Sequence, residues 1–170
     1  MKYLIASDIH GSAYWTERLV TAIDSEQPDR IVLLGDLLYH GPRNDLPRDY
    51  APKRVIPLLN ALADRIIAVR GNCDAYSRSD AEENLLFNAD GVRIFMTHGH
   101  RYNVKLGYES LANAAHFSGA QLALFGHTHE ADFLRMGDVT LFNPGSAGMG
   151  RQTYGMITVK GTEFKCEILS

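Results

Sequence analysis

Five apolar runs in this 170-residue chain each break off at a small cluster of Gly with Asp, Asn or His. Nothing else in the sequence constrains the fold as tightly. Tyr3 to Ala6 leads into Ser7-Asp8-Ile9-His10-Gly11, and Arg30 to Leu34 into Gly35-Asp36. Ile66 to Val69 leads into Gly71-Asn72-Cys73-Asp74, and Val92 to Met96 into Thr97-His98-Gly99-His100. Gln121 to Phe125 leads into Gly126-His127-Thr128-His129. Short unbroken apolar runs bounded by turn residues read as buried strands. Helical spacing falls between them, at Trp15 to Ile23, Val55 to Leu62 and Glu109 to His116. Four more strands are expected at Asp132 to Met136, Val139 to Phe142, Gly155 to Val159 and Glu163 to Leu169. These are short and alternating with Gly-containing turns, so they read as an antiparallel run. Parallel βαβ units followed by antiparallel strands predict an α/β fold, with two sheets face to face and helices outside. The length suits a single domain spanning 1–170, with no repeat or linker-like stretch.

In an open α/β sheet, ligands sit beyond the carboxyl ends of the strands, so the five clusters should converge. The i, i+2 spacing of Asp8 with His10, and of His127 with His129, puts both side chains of each pair on one side of extended backbone. Asp8, His10, Asp36, Asn72, His98, His127 and His129 then supply seven donors. A lone Asp or His at one strand end reads as a cap or a surface residue. Seven at five ends read as a metal site, and they suit two ions sharing Asp36 better than one ion. Carboxylate, amide and imidazole without thiolate favour two divalent ions of the Mn²⁺ kind, with Fe²⁺, Zn²⁺, Ni²⁺ and Co²⁺ as alternatives. Such a pair attracts a phosphate ester and stabilises in-line displacement at phosphorus.

The balance of 17 basic and 20 acidic side chains, net −3, argues against a broad nucleic-acid-binding face. A phosphorylated small molecule is still compatible, because bound metal supplies positive charge locally. No apolar stretch has the length of a membrane span or of a signal-peptide core, so no membrane association is expected and the reading is cytoplasmic. Cys73 and Cys166 are expected to be free thiols in a reducing compartment. Tyr3, Trp15 and Phe125 read as core residues. The composition is compatible with a homo-oligomer.

Asp8-x-His10, Gly35-Asp36, Gly71-Asn72, His98-Gly99 and Gly126-His127-x-His129 together resemble the ordered motif set of the calcineurin-like metallophosphoesterases. The loop His40-Gly41-Pro42-Arg43-Asn44 and the cluster Asn143-Pro144-Gly145-Ser146 resemble the small bacterial phosphodiesterases within that family. The resemblance implies a four-layer α/β/β/α sandwich of two mixed sheets. It also implies one ion held by Asp8, His10, Asp36 and His129, and a second by Asp36, Asn72, His98 and His127. In one place the chain departs from many family members: Cys73 stands where they carry a histidine that assists the leaving group. A thiol is a weaker donor and, with an ordinary pKa of about 8.5, a poor acid at neutral pH.

The expected activity is therefore metal-dependent phosphodiester hydrolysis, with metal-activated hydroxide attacking the phosphorus of a small-molecule diester. His100, two residues beyond His98, is a candidate proton donor; its plainer reading is a hydrogen-bonded loop histidine. Asp74 either orients a metal ligand or caps a turn. Arg43 is a candidate bidentate phosphate contact. Asn143 to Ser146 could offer exposed main-chain N–H groups to phosphate, or form an ordinary turn. Two alternatives remain. A phosphomonoesterase of the protein-phosphatase kind would usually carry Asp-Arg-Gly after the bridging aspartate, whereas Asp36 is followed by Leu37-Leu38-Tyr39-His40-Gly41. A catalytically silent scaffold, as in the retromer, would have lost ligand positions that this chain keeps.

Overall fold

The computed structural model describes residues 1–74 and 81–170. The chain order is β1 (Lys2–Ala6), α1 (Ala13–Glu26), β2 (Arg30–Leu33), α2 (Pro52–Asn60), β3 (Ile66–Ala68), β4 (Asn84–Ala89) and β5 (Val92–Thr97). It continues through α3 (Glu109–Phe117), β6 (Leu122–Leu124), β7 (Ala131–Met136), β8 (Val139–Pro144), β9 (Tyr154–Lys160) and β10 (Glu163–Leu169). Two five-stranded mixed sheets result, in the orders β10-β9-β1-β2-β3 and β4-β5-β6-β8-β7. The first pairs β1, β2 and β3 in parallel and adds β9 and β10 antiparallel. The second pairs β5, β6 and β8 in parallel, with β4 and β7 as antiparallel edges.

Alternation along each strand builds the layers, because successive side chains point to opposite faces. Tyr3 and Ile5 of β1, Ile94 and Met96 of β5, and Leu122 and Leu124 of β6 meet between the sheets. Leu4 and Ala6 face the other way, onto Leu19 and Ile23 of α1 and Val55 of α2. Phe95 and Ala123 likewise face Leu111, Ala112 and Ala115 of α3. The result is the four-layer α/β/β/α sandwich, with three apolar seams.

α1 begins where the first polar cluster ends. Ser12 caps it by accepting the Trp15 N–H at 3.3 Å, and Ala13, Thr16, Leu19 and Ile23 form its buried stripe. Trp15 lies at the edge of that stripe, half-buried with the Arg18 guanidinium 5.5 Å above its ring, so it is not the core residue its type suggests. Tyr3 and Phe125 are fully buried.

The strand pattern differs from the sequence expectation in two places. β4 is an additional strand: Leu86 points outward, 38% exposed, and breaks the alternation that would have revealed it. The last four strands do not form one antiparallel run. β7 with β8 and β9 with β10 are antiparallel hairpins in different sheets, and β8 also pairs in parallel with β6.

Candidate metal centre

All five clusters lie beyond the carboxyl ends of parallel strands, and the two sheets bring those ends together. The loops after β1 and β2 stay paired past the strands, with Asp8 N–H donating to Gly35 O at 3.0 Å and His10 N–H to Asp36 O at 2.9 Å. The loops after β5 and β6 do the same, with Gly126 N–H donating to His98 O at 3.0 Å. Gly71 is dictated by contact: a Cβ there would collide with the Asp36 carboxylate.

The backbone in these loops is not extended. Asp8, His10, Asp36, His127 and His129 all have positive φ, between 51° and 70°. Non-glycine residues rarely adopt this left-handed region, and its clustering at one place marks strain held by the surrounding fold. The Asp-x-His and His-x-His pairs therefore converge through left-handed turns and not through strand alternation.

The side chains form two groups whose ligand atoms lie within 4.8 Å of one another, Asp8-His10-His129 and Asp36-His98-His127. In the first, Asp8 Oδ1 stands 3.5 Å from His10 Nε2 and 3.3 Å from His129 Nε2. In the second, Asp36 Oδ2 stands 3.3 Å from His98 Nε2, and Asn72 Oδ1 lies 3.2 Å from that same nitrogen. His10 Nε2 also approaches Asp36 Oδ2 to 3.9 Å, so Asp36 stands between the groups. All seven candidate ligands are thus brought together.

Main-chain carbonyls set two of the imidazoles. His10 Nδ1 bonds Tyr39 O at 2.8 Å and His98 Nδ1 bonds Leu34 O at 2.7 Å. Each ring is held as the tautomer that turns Nε2 inward. Neither carbonyl is marked in the sequence, since nothing distinguishes them before the loops fold together.

Three observations fit this donor set to a cation. Asp8 Oδ1 is buried and has no hydrogen-bond partner among the described residues. His10 Nε2 and His129 Nε2 face each other at 3.1 Å, and His127 Nδ1 faces His98 Nε2 at 3.2 Å. Neutral imidazoles would point lone pairs at each other unless a proton or an ion lay between them. The titration pattern agrees. Burial raises the Asp8 carboxyl, but His98, His10 and His129 outweigh it and hold it well below the usual carboxylate range. Burial opposes charge on His98, yet Asp8 and Asp36 push its pKa up to about 9. Burial, reinforced by His98 and Lys105, takes His127 down to about 4.

The remaining sequence candidates fall in different places. Cys73 is buried beside the centre; with His10 and Asp36 it makes a third set of ligand-type atoms within 4.8 Å. Burial and then Asp36 push its thiol up to about 12, so it keeps its proton at neutral pH. The His100 ring lies 5.5 Å from that of His98 and 6.1 Å from that of His127. Its pKa is lowered by burial and by His98, which favours the neutral ring, and its buried Nδ1 has no partner among the described residues.

Asp74 accepts three main-chain N–H groups, from Asp36 at 2.7 Å, Gly71 at 2.8 Å and Leu37 at 2.9 Å. It ties the Gly-Asp loop to the Gly-Asn loop. Arg43 is exposed on the loop whose Gly41 abuts the Cys73 sulfur. Asn143 and Ser146 are not exposed, as a phosphate-receiving turn would require. Asn143 is fully buried and donates to Gly126 O and Thr128 Oγ1, bracing the His127-Thr128-His129 loop from behind. Ser146 is 1% exposed and donates to Asp8 O at 2.7 Å. Both position ligand loops.

Residues 1–162 match the family model described as the calcineurin-like phosphoesterase superfamily domain. Phosphodiesterase YfcE of Escherichia coli K12 is 36% identical, over 92% of this chain and 87% of its own. A phosphodiesterase of Methanocaldococcus jannaschii is 25% identical, over 97% of both chains. The solved structure of the E. coli phosphoesterase superposes with a TM-score of 0.79 at 35% identity, covering 93% of this chain and 88% of that one. Zinc-complexed Vps29 of Entamoeba histolytica shares the fold at 19% identity, with a TM-score of 0.71 over 99% and 98% of the two chains. A motif set in order along the chain, a sandwich that gathers it at one edge, and a family model spanning nearly every residue lead to one assignment: the chain belongs to the calcineurin-like phosphoesterase superfamily.

Proposed function

We propose that this protein is a metal-dependent phosphodiesterase acting on a small-molecule phosphodiester, with two divalent ions as its cofactors. The observation that carries the reading is the pairing of two three-residue groups, Asp8-His10-His129 and Asp36-His98-His127, whose carboxylates both face His98 Nε2, Asp8 Oδ1 at 3.9 Å and Asp36 Oδ2 at 3.3 Å. In this reading Asp8, His10, Asp36 and His129 hold one ion, and Asp36, Asn72, His98 and His127 hold the other. When bound, the ions supply positive charge and Lewis acidity to the phosphate ester and its attacking water. Mn²⁺ suits a donor set of carboxylate, amide and imidazole. A setting in the cytoplasm agrees with two free cysteines and with helices too short and polar, among the described residues, to cross a membrane.

The chain's own groups do the positioning. Tyr39 O and Leu34 O keep His10 and His98 aimed inward, and Asp74 locks the two loops that carry Asp36 and Asn72. Arg43, exposed on the neighbouring loop, is the residue this reading assigns to a phosphate oxygen. Neither nearby proton carrier suits a general acid at neutral pH: the Cys73 thiol is pushed up to about 12, and burial and His98 disfavour the protonated form of His100. Substrates whose leaving group departs as a stable anion, such as aryl phosphodiesters, should therefore turn over best.

A panel of aryl and alkyl phosphodiesters with their matching monoesters, assayed on Mn²⁺-loaded protein, tests the proposal. Aryl diesters should be hydrolysed fastest. Faster turnover of the monoesters would point to a phosphomonoesterase, and no turnover of either class would point to a scaffold.

A further inference from the structure

Asp8 divides its two carboxylate oxygens between different tasks. Oδ2 accepts the Ser7 hydroxyl at 2.6 Å and the His127 main-chain N–H at 3.0 Å. Oδ1 has no partner among the described residues and faces the Nε2 atoms of His10 and His129. Ser7 and Asp8 are both completely buried, so bulk solvent does not reach this arrangement. A carboxylate free to rotate about its last bond could chelate with both oxygens or turn towards a single histidine. Two donors on Oδ2 remove that freedom and leave Oδ1 as the one oxygen available to a cation.

Asp8 Oδ2 joins the two halves of the site. His127 belongs to the group around Asp36, while Asp8 belongs to the group around His10. The Ser7 hydroxyl sits directly against the backbone of Gly126, where a Cβ would collide with it and would come within 2.8 Å of Asp8 Oδ2. Ser7, Asp8 Oδ2 and the His127 amide thus form one packed unit spanning both groups.

We infer that Ser7 is a positioning residue: its hydroxyl commits Asp8 to binding through Oδ1 alone and couples the two ion positions through the His127 backbone. The inference rests on the two-ion reading above. The backbone here is held without the hydroxyl, because Ala147 N–H donates to Ser7 O at 2.8 Å and Ser146 Oγ–H donates to Asp8 O at 2.7 Å. Removing the hydroxyl should therefore loosen the carboxylate, which then keeps only the His127 N–H on Oδ2, without unfolding the loop.

The test is calorimetric titration of metal-free wild type, Ser7→Ala and Ser7→Thr with Mn²⁺, alongside thermal melting of each metal-free protein. Ser7→Ala should weaken both binding steps about 10–100-fold, the range for losing a partner of a metal ligand. Its metal-free melting temperature should stay close to that of wild type, and Ser7→Thr, which keeps the hydroxyl, should bind much as wild type does. Ser7→Ala with unchanged affinities overturns the inference, and so does a loss confined to the melting temperature. Weakening of one step alone overturns the coupling. Wild type that takes up no Mn²⁺ overturns the two-ion reading itself, an outcome distinct from all of these.

Discussion

His98 Nε2 stands 3.3 Å from Asp36 Oδ2 while its Nδ1 bonds the Leu34 carbonyl at 2.7 Å, so this buried ring has a fixed orientation and an acidic neighbour. In the metal-free protein burial lowers its pKa, but Asp8 and Asp36 more than compensate and bring it to about 9. A folded-state pKa above the ordinary value of 6.5 means that protonated His98 stabilises the fold. That contribution is complete below about pH 6.5 and is lost as pH rises through about 9. Chelator-treated protein should therefore melt at progressively lower temperature between pH 6.5 and 9. Ion-loaded protein should show no such decline, since the ion replaces the proton, and ion uptake at pH 7.5 should release protons to the buffer. Calorimetry in buffers of different ionisation enthalpy measures that release; none detected would mean that His98 is not a ligand.

Asp74 carries a second expectation. It is 3% exposed and accepts N–H groups from Asp36, Leu37 and Gly71. Each buried donor left without an acceptor costs about 1–3 kcal/mol. Asp74→Ala should lower unfolding free energy by roughly 3 kcal/mol or more, read from urea denaturation of the metal-free protein. An unchanged urea midpoint would show that water or another group replaces the carboxylate.

The leaving group is the third. Cys73 occupies the position next to Asn72, and its thiol is pushed up to about 12 by burial and by Asp36. A placed general acid contributes about 10²–10⁴-fold for leaving groups that need a proton. Cys73→His should raise kcat/KM for alkyl diesters more than for aryl diesters. His100→Ala is the comparison: a selective loss on alkyl esters there would assign the proton to His100, against its lowered pKa. If Cys73→His leaves the ester preference as it was, Cys73 merely fills space.

Much of this site was legible in the sequence because side-chain type and order along the chain survive folding. Asp8, His10, Asp36, Asn72, His98, His127 and His129 meet as their positions at strand ends imply. The backbone that brings them together was not legible, since nothing local in Asp8-Ile9-His10 or His127-Thr128-His129 signals left-handed φ; neighbouring loops impose it. Asn143 and Ser146 misled for a related reason. Asn-Pro-Gly-Ser reads as an exposed turn, yet Asn143 closes onto Gly126 and Thr128 and Ser146 onto Asp8, contacts made across more than a dozen residues of chain. Strand β4 escaped because an edge strand with Leu86 facing outward lacks a clean alternation. Ser7 escaped because a serine before an aspartate is unremarkable until the carboxylate's free oxygen is located.

Asp36 stands between both groups of ligands, with its Oδ2 3.3 Å from His98 Nε2 and 3.9 Å from His10 Nε2, and the account turns on its serving two ions. The most direct measurement follows aryl diester hydrolysis while Mn²⁺ is added stepwise to metal-free wild type and Asp36→Asn, with bound metal counted per chain. Activity in wild type should appear as the second equivalent binds. Asp36→Asn should remain folded, bind both ions weakly and lose at least about 10²-fold in kcat, the scale of one lost preorganised electrostatic contact. Full activity with a single ion per chain, or an Asp36→Asn variant that binds and turns over like wild type, would contradict the account.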